Sequence, residues 1–150
     1  MTVEQFLNSI KMRQRDFETL MNRTLPIKVG VLAKAHFQQN FEKGGFVDSG
    51  LKKWKPAKRL TKGEKGAANN YGTLLSERNH LFSSITYVPG NAQVKIINPV
   101  EYAAVHNEGL KAGRGKGFTM PKRQFIGKSH ELEVNVEDKI DSEIRIILNK

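Results

Sequence analysis

The run Ser129-His130-Glu131-Leu132-Glu133-Val134-Asn135-Val136-Glu137-Asp138-Lys139-Ile140-Asp141-Ser142-Glu143-Ile144-Arg145-Ile146-Ile147-Leu148 repeats apolar side chains three or four positions apart, at Leu132, Val136, Ile140, Ile144, Ile147 and Leu148. That spacing is the period of an α-helix with one apolar face. Ser129 is a good N-cap, and Glu131 and Glu133 fall in the first turns, where the helix dipole favours negative charge. At 1.5 Å per residue the helix spans roughly 30 Å.

Upstream of this helix, Pro121-Lys122-Arg123-Gln124-Phe125-Ile126 reads as an extended strand, with Arg123 and Phe125 on one side and Gln124 on the other. The partners expected for Arg123 are backbone carbonyls or Glu108. Glu101 to Asn107 reads as a short helix stopped at Gly109, with Tyr102 and His106 sharing a face. Two β-rich runs, Ser84–Val88 and Gln93–Ile97, flank the turn Pro89-Gly90-Asn91 and predict a hairpin. Leu74 to Phe82 reads as a short helix.

At the other end, Val3 to Met21 places Phe6, Leu7, Ile10, Phe17, Leu20 and Met21 at helical spacing. A further helix, with Thr24 as cap and Pro26 in its first turn, reaches Phe41 and stops at Gly44-Gly45. Two consecutive helices, or one long kinked helix, therefore open the chain. From Gly44 to Gly72 the periodicity is lost over more than the ~12–15 residues usual for a structureless loop. The segment 43–72 is therefore expected to be a mobile loop or arm. The whole reads as one α+β domain over 1–150, with helices at both ends packed on a small, largely antiparallel β-sheet and a long basic Gly/Lys-rich loop.

Composition limits what such a domain can do. The chain has 150 residues, 25 Lys plus Arg against 15 Asp plus Glu, and a net charge of +10. With 38% hydrophobic residues it can bury one modest core and is too apolar for full disorder. It has no cysteine, which removes disulfides, thiolate metal sites and thiol nucleophiles. No apolar run approaches the roughly 18 residues of a membrane span, and the first residues lack the pattern of a secretory signal. The product is expected to remain in the cytoplasm of the cell that makes it, with no membrane partner. The charge is uneven: Lys43 to Lys65 carries eight basic and two acidic residues, Lys111 to Lys128 six basic and no acidic ones, and Ser129 to Lys150 six acidic against three basic.

Catalytic patterns are missing at the required spacings. His36, His80, His106 and His130 occur singly, and the adjacent His106-Asn107-Glu108 diverge by about 100° each on a helix, too far to share a metal. The glycine-rich stretch Gly109 to Gly117 is no phosphate loop, because Lys116 is followed by Gly117 and not by Ser or Thr. No catalytic residue, cofactor or metal is expected. Basic segments interleaved with Trp54, Tyr71 and Phe118 attract nucleic acid, so a basic DNA-binding module without catalytic activity is the alternative reading. No DNA- or RNA-binding signature accompanies them.

Four motifs in order, from Gly50 to Ser129, carry a resemblance: Gly50-Leu51-Lys52-Lys53-Trp54-Lys55-Pro56, Leu74-Leu75 followed by Leu81-Phe82-Ser83-Ser84-Ile85, Tyr102-Ala103-Ala104-Val105-His106-Asn107-Glu108-Gly109, and Met120-Pro121-Lys122-Arg123-Gln124-Phe125-Ile126-Gly127-Lys128-Ser129. Together they resemble the virion morphogenesis, or tail-completion, proteins of Mu-like tailed bacteriophages. Asn107 stands where that family more often has Gln, and Lys122 where a small residue is usual. The resemblance marks Tyr102, His106, Gly109, Pro121, Arg123, Phe125 and Gly127 as motif residues that define the fold. It implies a structural virion protein at the head–tail junction or tail terminus, a ring (commonly a hexamer) around a DNA channel, in contact with other tail or connector proteins. In that setting Phe46, Leu51 and Trp54 are the expected interface anchors. Lys52, Lys53, Lys55, Lys58, Arg59, Lys111, Arg114 and Lys116 are the expected DNA-facing residues, touching DNA without reading its sequence.

Overall fold

A computed structural model describes residues 1–62 and 71–150. Helix α1 (Val3–Thr19) opens with a capping box in which Thr2 and Gln5 bond each other's backbone N–H. It runs through a single π-helical turn (Leu20–Thr24) into α2 (Leu25–Lys43) without a break. Pro26 explains that turn. Its ring lacks an N–H and would crowd the carbonyl four residues back; the wider turn, closed by Leu25 N–H on Leu20 O, lets the helix continue. Of the two arrangements expected from sequence, the single long helix is the one formed, roughly 60 Å in length.

After Gly44, β1 (Gly45–Val47) and β2 (Leu51–Lys53) form a short antiparallel hairpin, followed by α3 (Lys58–Thr61). The expected loop over 43–72 is therefore structured up to Thr61, while 63–70, with Lys65, lies outside the described residues. Three-residue strands are too short to show a period of two. The expected helix from Leu74 to Phe82 shrinks to α4 (His80–Ser83). Two local interactions displace it. Asn79 has a left-handed backbone and accepts the Ser76 N–H through its side chain, and Arg59 takes the Leu75 carbonyl, inside the expected helix, together with those of Tyr71, Gly72 and Thr73 just before it.

The hairpin β3 (Thr86–Gly90) and β4 (Gln93–Ile97) forms from the two expected runs, but Pro89 and Gly90, expected in the turn, pair within it, and the chain reverses at Asn91 and Ala92. Helix α5 (Ala103–Glu108) ends at Gly109, whose φ of 71° only glycine adopts without strain. The strands β5 (Lys111–Ala112) and β6 (Phe118–Thr119) pair around the Gly-rich basic loop, and α6 (His130–Leu148) closes the fold. The strands form three separate two-stranded ribbons and not one sheet. The segment 121–126 joins none of them and is held by side chains.

Helix α2 is the central beam. It packs on α6 along one side and on both strands of the β3–β4 hairpin along another. At the crossing with β3 a Cβ on Gly30 would stand 2.5 Å from the Tyr87 ring, so glycine alone permits this approach. The larger apolar cluster centres on Phe41, edge-on to Trp54 and Phe82 at 5.7 and 5.8 Å and tilted on Phe125 at 5.1 Å. Each such aromatic pair adds about 0.5–1.5 kcal/mol beyond burial. A smaller cluster of Leu20, Leu25 and Ile147 joins the long helix to the end of α6.

Gly30→Ala is expected to cost roughly 1–3 kcal/mol through overpacking against Tyr87. Chemical denaturation measures it; an unchanged midpoint would show that the hairpin gives way freely.

Candidate functional site

The motif residues converge on one place, the passage of 121–129 between α2, α5 and the segment just after β2 at Lys55. Two carbonyls and two amides of that passage meet side chains of other segments and not a ladder. Asn107, one residue before the end of α5, turns its Oδ1 to accept both Phe125 N–H (2.9 Å) and Ile126 N–H (3.0 Å). The Trp54 indole N–H donates to Gln124 O at 2.8 Å, and Asn40 Nδ2 donates to Phe125 O at 3.0 Å. Asn40 is fully buried on α2, and its Oδ1 accepts Val47 N–H, so one amide ties α2, β1 and this segment together.

Arg123 is buried. Its Nε donates to Lys55 O at 2.8 Å and Nη2 to Pro56 O at 3.2 Å, while its own N–H reaches His106 O. Of the two expected partner types it takes the carbonyls, and Glu108 accepts instead from Asn107. Burial lowers the Arg123 pKa, as expected for a cation with little water. His106 lies between this guanidinium and Tyr102, whose ring meets it edge-on at 6.0 Å. Its Nδ1 is buried and finds no hydrogen-bond partner among the described residues. Desolvation first, then the Arg123 charge, pushes its pKa below the ordinary value.

At the end of the passage, Ser129 caps α6 as expected, accepting Leu132 N–H at 3.2 Å. Its hydroxyl also donates to Val47 O at 2.7 Å and lies 3.1 Å from His36 Nε2. Asp48 completes the cap: its carboxylate accepts His130 N–H, and its carbonyl accepts Glu131 N–H. Hydrogen bonding from Lys52, then from the His130 amide, holds the Asp48 carboxyl below the usual carboxylate range.

The expected interface anchors divide. Phe46 and Trp54 are buried in the chain's own core, so they are not free to anchor a neighbour; Leu51 is 43% exposed. The expectation of a mobile segment fails here because the β1–β2 hairpin folds Phe46 and Trp54 inward. Among the basic candidates, Lys52, Lys53, Lys55, Lys58, Lys111, Arg114 and Lys116 are exposed, with Lys52 paired to Asp48 at 2.8 Å. Arg59 is not DNA-facing: its guanidinium holds the turn at 71–75. Gly127 and Pro121 are half-buried along the passage. Asn40 was missed by sequence reasoning. A polar residue on the apolar face of a helix was the available sign.

No helix of the described chain is long and apolar enough to cross a membrane, and no group of three or more His, Cys, Asp or Glu stands close enough to hold a metal among the described residues. The model of the phage virion morphogenesis family matches residues 1–145. The chain belongs to that family. It is also similar to the Mu-like prophage FluMu G protein 2 of Haemophilus influenzae, with 29% identity over 110 residues, covering 73% of this chain and 69% of the relative. No solved structure matches it. Membership of a phage virion morphogenesis family places the chain among phage structural and assembly proteins, and it gives the motif residues a setting: they hold a loop passage together inside an assembly component.

Two outcomes follow from this geometry. Asn107→Ala leaves the Phe125 and Ile126 amides without their acceptor and is expected to cost about 2–4 kcal/mol, whereas Asn107→Asp keeps the acceptor and costs less; equal losses in denaturant titrations would contradict the role given to Oδ1. For His106, NMR titration is expected to show a midpoint below the ordinary 6.5. Since the fold favours the neutral ring, its contribution to stability is complete above the unfolded pKa and is lost as pH falls toward the folded one.

Proposed function

We propose that this phage virion morphogenesis protein completes the tail. It acts as a non-catalytic ring at the head–tail junction or tail terminus, around the passage for DNA. The observation that carries the reading is the family match over nearly the whole chain. The internal chemistry agrees with it. The polar groups of the family-like motif are spent on backbone atoms: Asn107, Arg123, Trp54 and Ser129 each satisfy main-chain donors or acceptors. Groups committed in that way define a shape and are not poised to act on a substrate.

The exposed lysines and arginine of the β1–β2 and β5–β6 regions suit a wall past which a polyanion moves. A net charge of +10 gives attraction that depends on salt and ignores sequence. Other tail or connector proteins, and further copies of the chain, are the proposed partners. The virion is the proposed location.

Deleting the gene from its phage and examining lysates by electron microscopy tests this reading. The expected result is finished heads and tails that fail to join or to terminate, with infectivity restored by the wild-type gene and the protein present in purified virions. Complete infectious particles without the protein would overturn it. In the same framework Lys111→Glu/Arg114→Glu/Lys116→Glu is expected to weaken binding to any duplex DNA alike and to flatten its salt dependence. Tight binding to one sequence would favour the DNA-binding module instead.

A further inference from the structure

The apolar stripe of α1 outruns the helix that covers it. Phe17 and Leu20 pack against Ile140, Ile144 and Ile147 of α6, and Lys150 pairs with Asp16 at 3.0 Å, so α6 ends level with that point. On the same face, farther out, lie Ile10, Phe6 and Val3, 46%, 52% and 78% exposed, with Leu7 beside them. No residue of α1 is buried. The overhang from Val3 to Arg13 is about 15 Å of helix with a firm capping box at its tip.

Elsewhere the molecule has a place of matching kind. Val29 and Ala33 of α2, Val94 and Ile96 of β4, and Leu132 and Val136 of α6 line a continuous apolar trough. It extends from Met21 to Phe37, about 24 Å along α2, which is long enough for three turns of helix. Glu133 and Glu137 stand on its rim. The chain's own arm cannot fill it. Residues 3–43 form one uninterrupted helix, so the arm leads away from the trough, whose near end begins at Met21.

We infer that the α1 arm of one copy lies, apolar face down, in the α2–α6–β4 trough of the next copy. This rests on the ring reading above and deepens it by naming both surfaces. Val3, Phe6, Leu7 and Ile10 have the spacing of a helix laid in a groove. Lys11, Arg13 and Arg15 flank that stripe, and their charge complements the acidic rim of Glu133 and Glu137. A helix seated there covers apolar surface on both partners that water otherwise meets. Arm and trough are different patches, so the contact is heterologous: each copy gives an arm forward and receives one from behind. Repetition of such a contact generates a closed ring where the rotation permits.

Sedimentation velocity on the full chain over a range of concentration and salt tests the inference. Wild type is expected to self-associate, more strongly at low salt. Phe6→Glu/Ile10→Glu is expected to weaken association at least about a hundredfold, with an unchanged melting curve at dilutions where wild type is also monomeric, because both positions face solvent within one copy. Glu133→Lys/Glu137→Lys is expected to weaken it as well, and adding Lys11→Glu/Arg13→Glu is expected to restore it. An arm variant mixed with the trough variant Val136→Glu is expected to give a one-to-one dimer that grows no further. Assembly unaffected by Phe6→Glu/Ile10→Glu overturns this assignment while leaving the ring reading intact. A chain that stays monomeric, with Val94 and Val136 resonances unmoved by a synthetic peptide of residues 1–16, also overturns it, and the virion experiment then decides the ring reading separately. An arm that binds another purified virion protein and not this chain overturns the copy-on-copy contact.

Discussion

A stretch of chain that crosses the interior without joining a ladder must find its hydrogen bonds one by one, and residues 121–129 are such a stretch. Amides and carbonyls left bare in an apolar setting cost about 1–3 kcal/mol each. Here the partners come from three different places: Asn40 from α2, Trp54 from just after the first hairpin and Asn107 from α5, while Arg123 of the passage reaches back to the carbonyls of Lys55 and Pro56. The consequences spread outward. Phe125 is set into the aromatic cluster because its N–H and C=O are both held, and Ser129 arrives where it can cap α6 and close on Val47. Few other bonds in the molecule join so many segments distant in sequence.

This changes what a family-like motif means in such a chain. Residues such as Trp54, Asn107 and Arg123 would draw attention as ligand contacts if only their types were considered. Their partners are backbone atoms of the same chain, so the motif records how a passage is fastened. The outward-facing parts are the helical arm, the apolar trough and the exposed basic residues. Activity in an assembly component resides in surfaces of that kind, where shape and charge meet a neighbour.

Much of the architecture was legible in the residues. The α6 periodicity with Ser129 at its head, the β3–β4 turn and the Gly109 stop all rest on local chemistry that acts within a few positions. Misreadings arose where distant partners decided the outcome. Nothing near Gly45–Val47 or Leu51–Lys53 reveals that the two runs pair across a three-residue turn, and nothing in Leu74–Phe82 reveals that Arg59 takes the Leu75 carbonyl and those just before it. Phe46 and Trp54 were taken for free anchors for the same reason. The burial of Arg123 was foreseeable from its alternation with Phe125, but the identity of its carbonyls was not. Asn40 was the plainest missed sign, a lone amide on an apolar helical face.

Two helices, the long N-terminal one and α6, run through both apolar clusters, with Leu132 of α6 against the inner one and Ile140, Ile144 and Ile147 in the outer. The outer one contains only three buried side chains, Leu20, Leu25 and Ile147, whereas the inner one holds nine and the stitched passage. Local opening should therefore be graded along a single helix: amides near the π turn exchange on a faster clock than those around Phe37 and Phe41, and do so without global unfolding. A protein made this way has a stiff body and a yielding root to its limb. The limb can change its angle while the interior keeps its register.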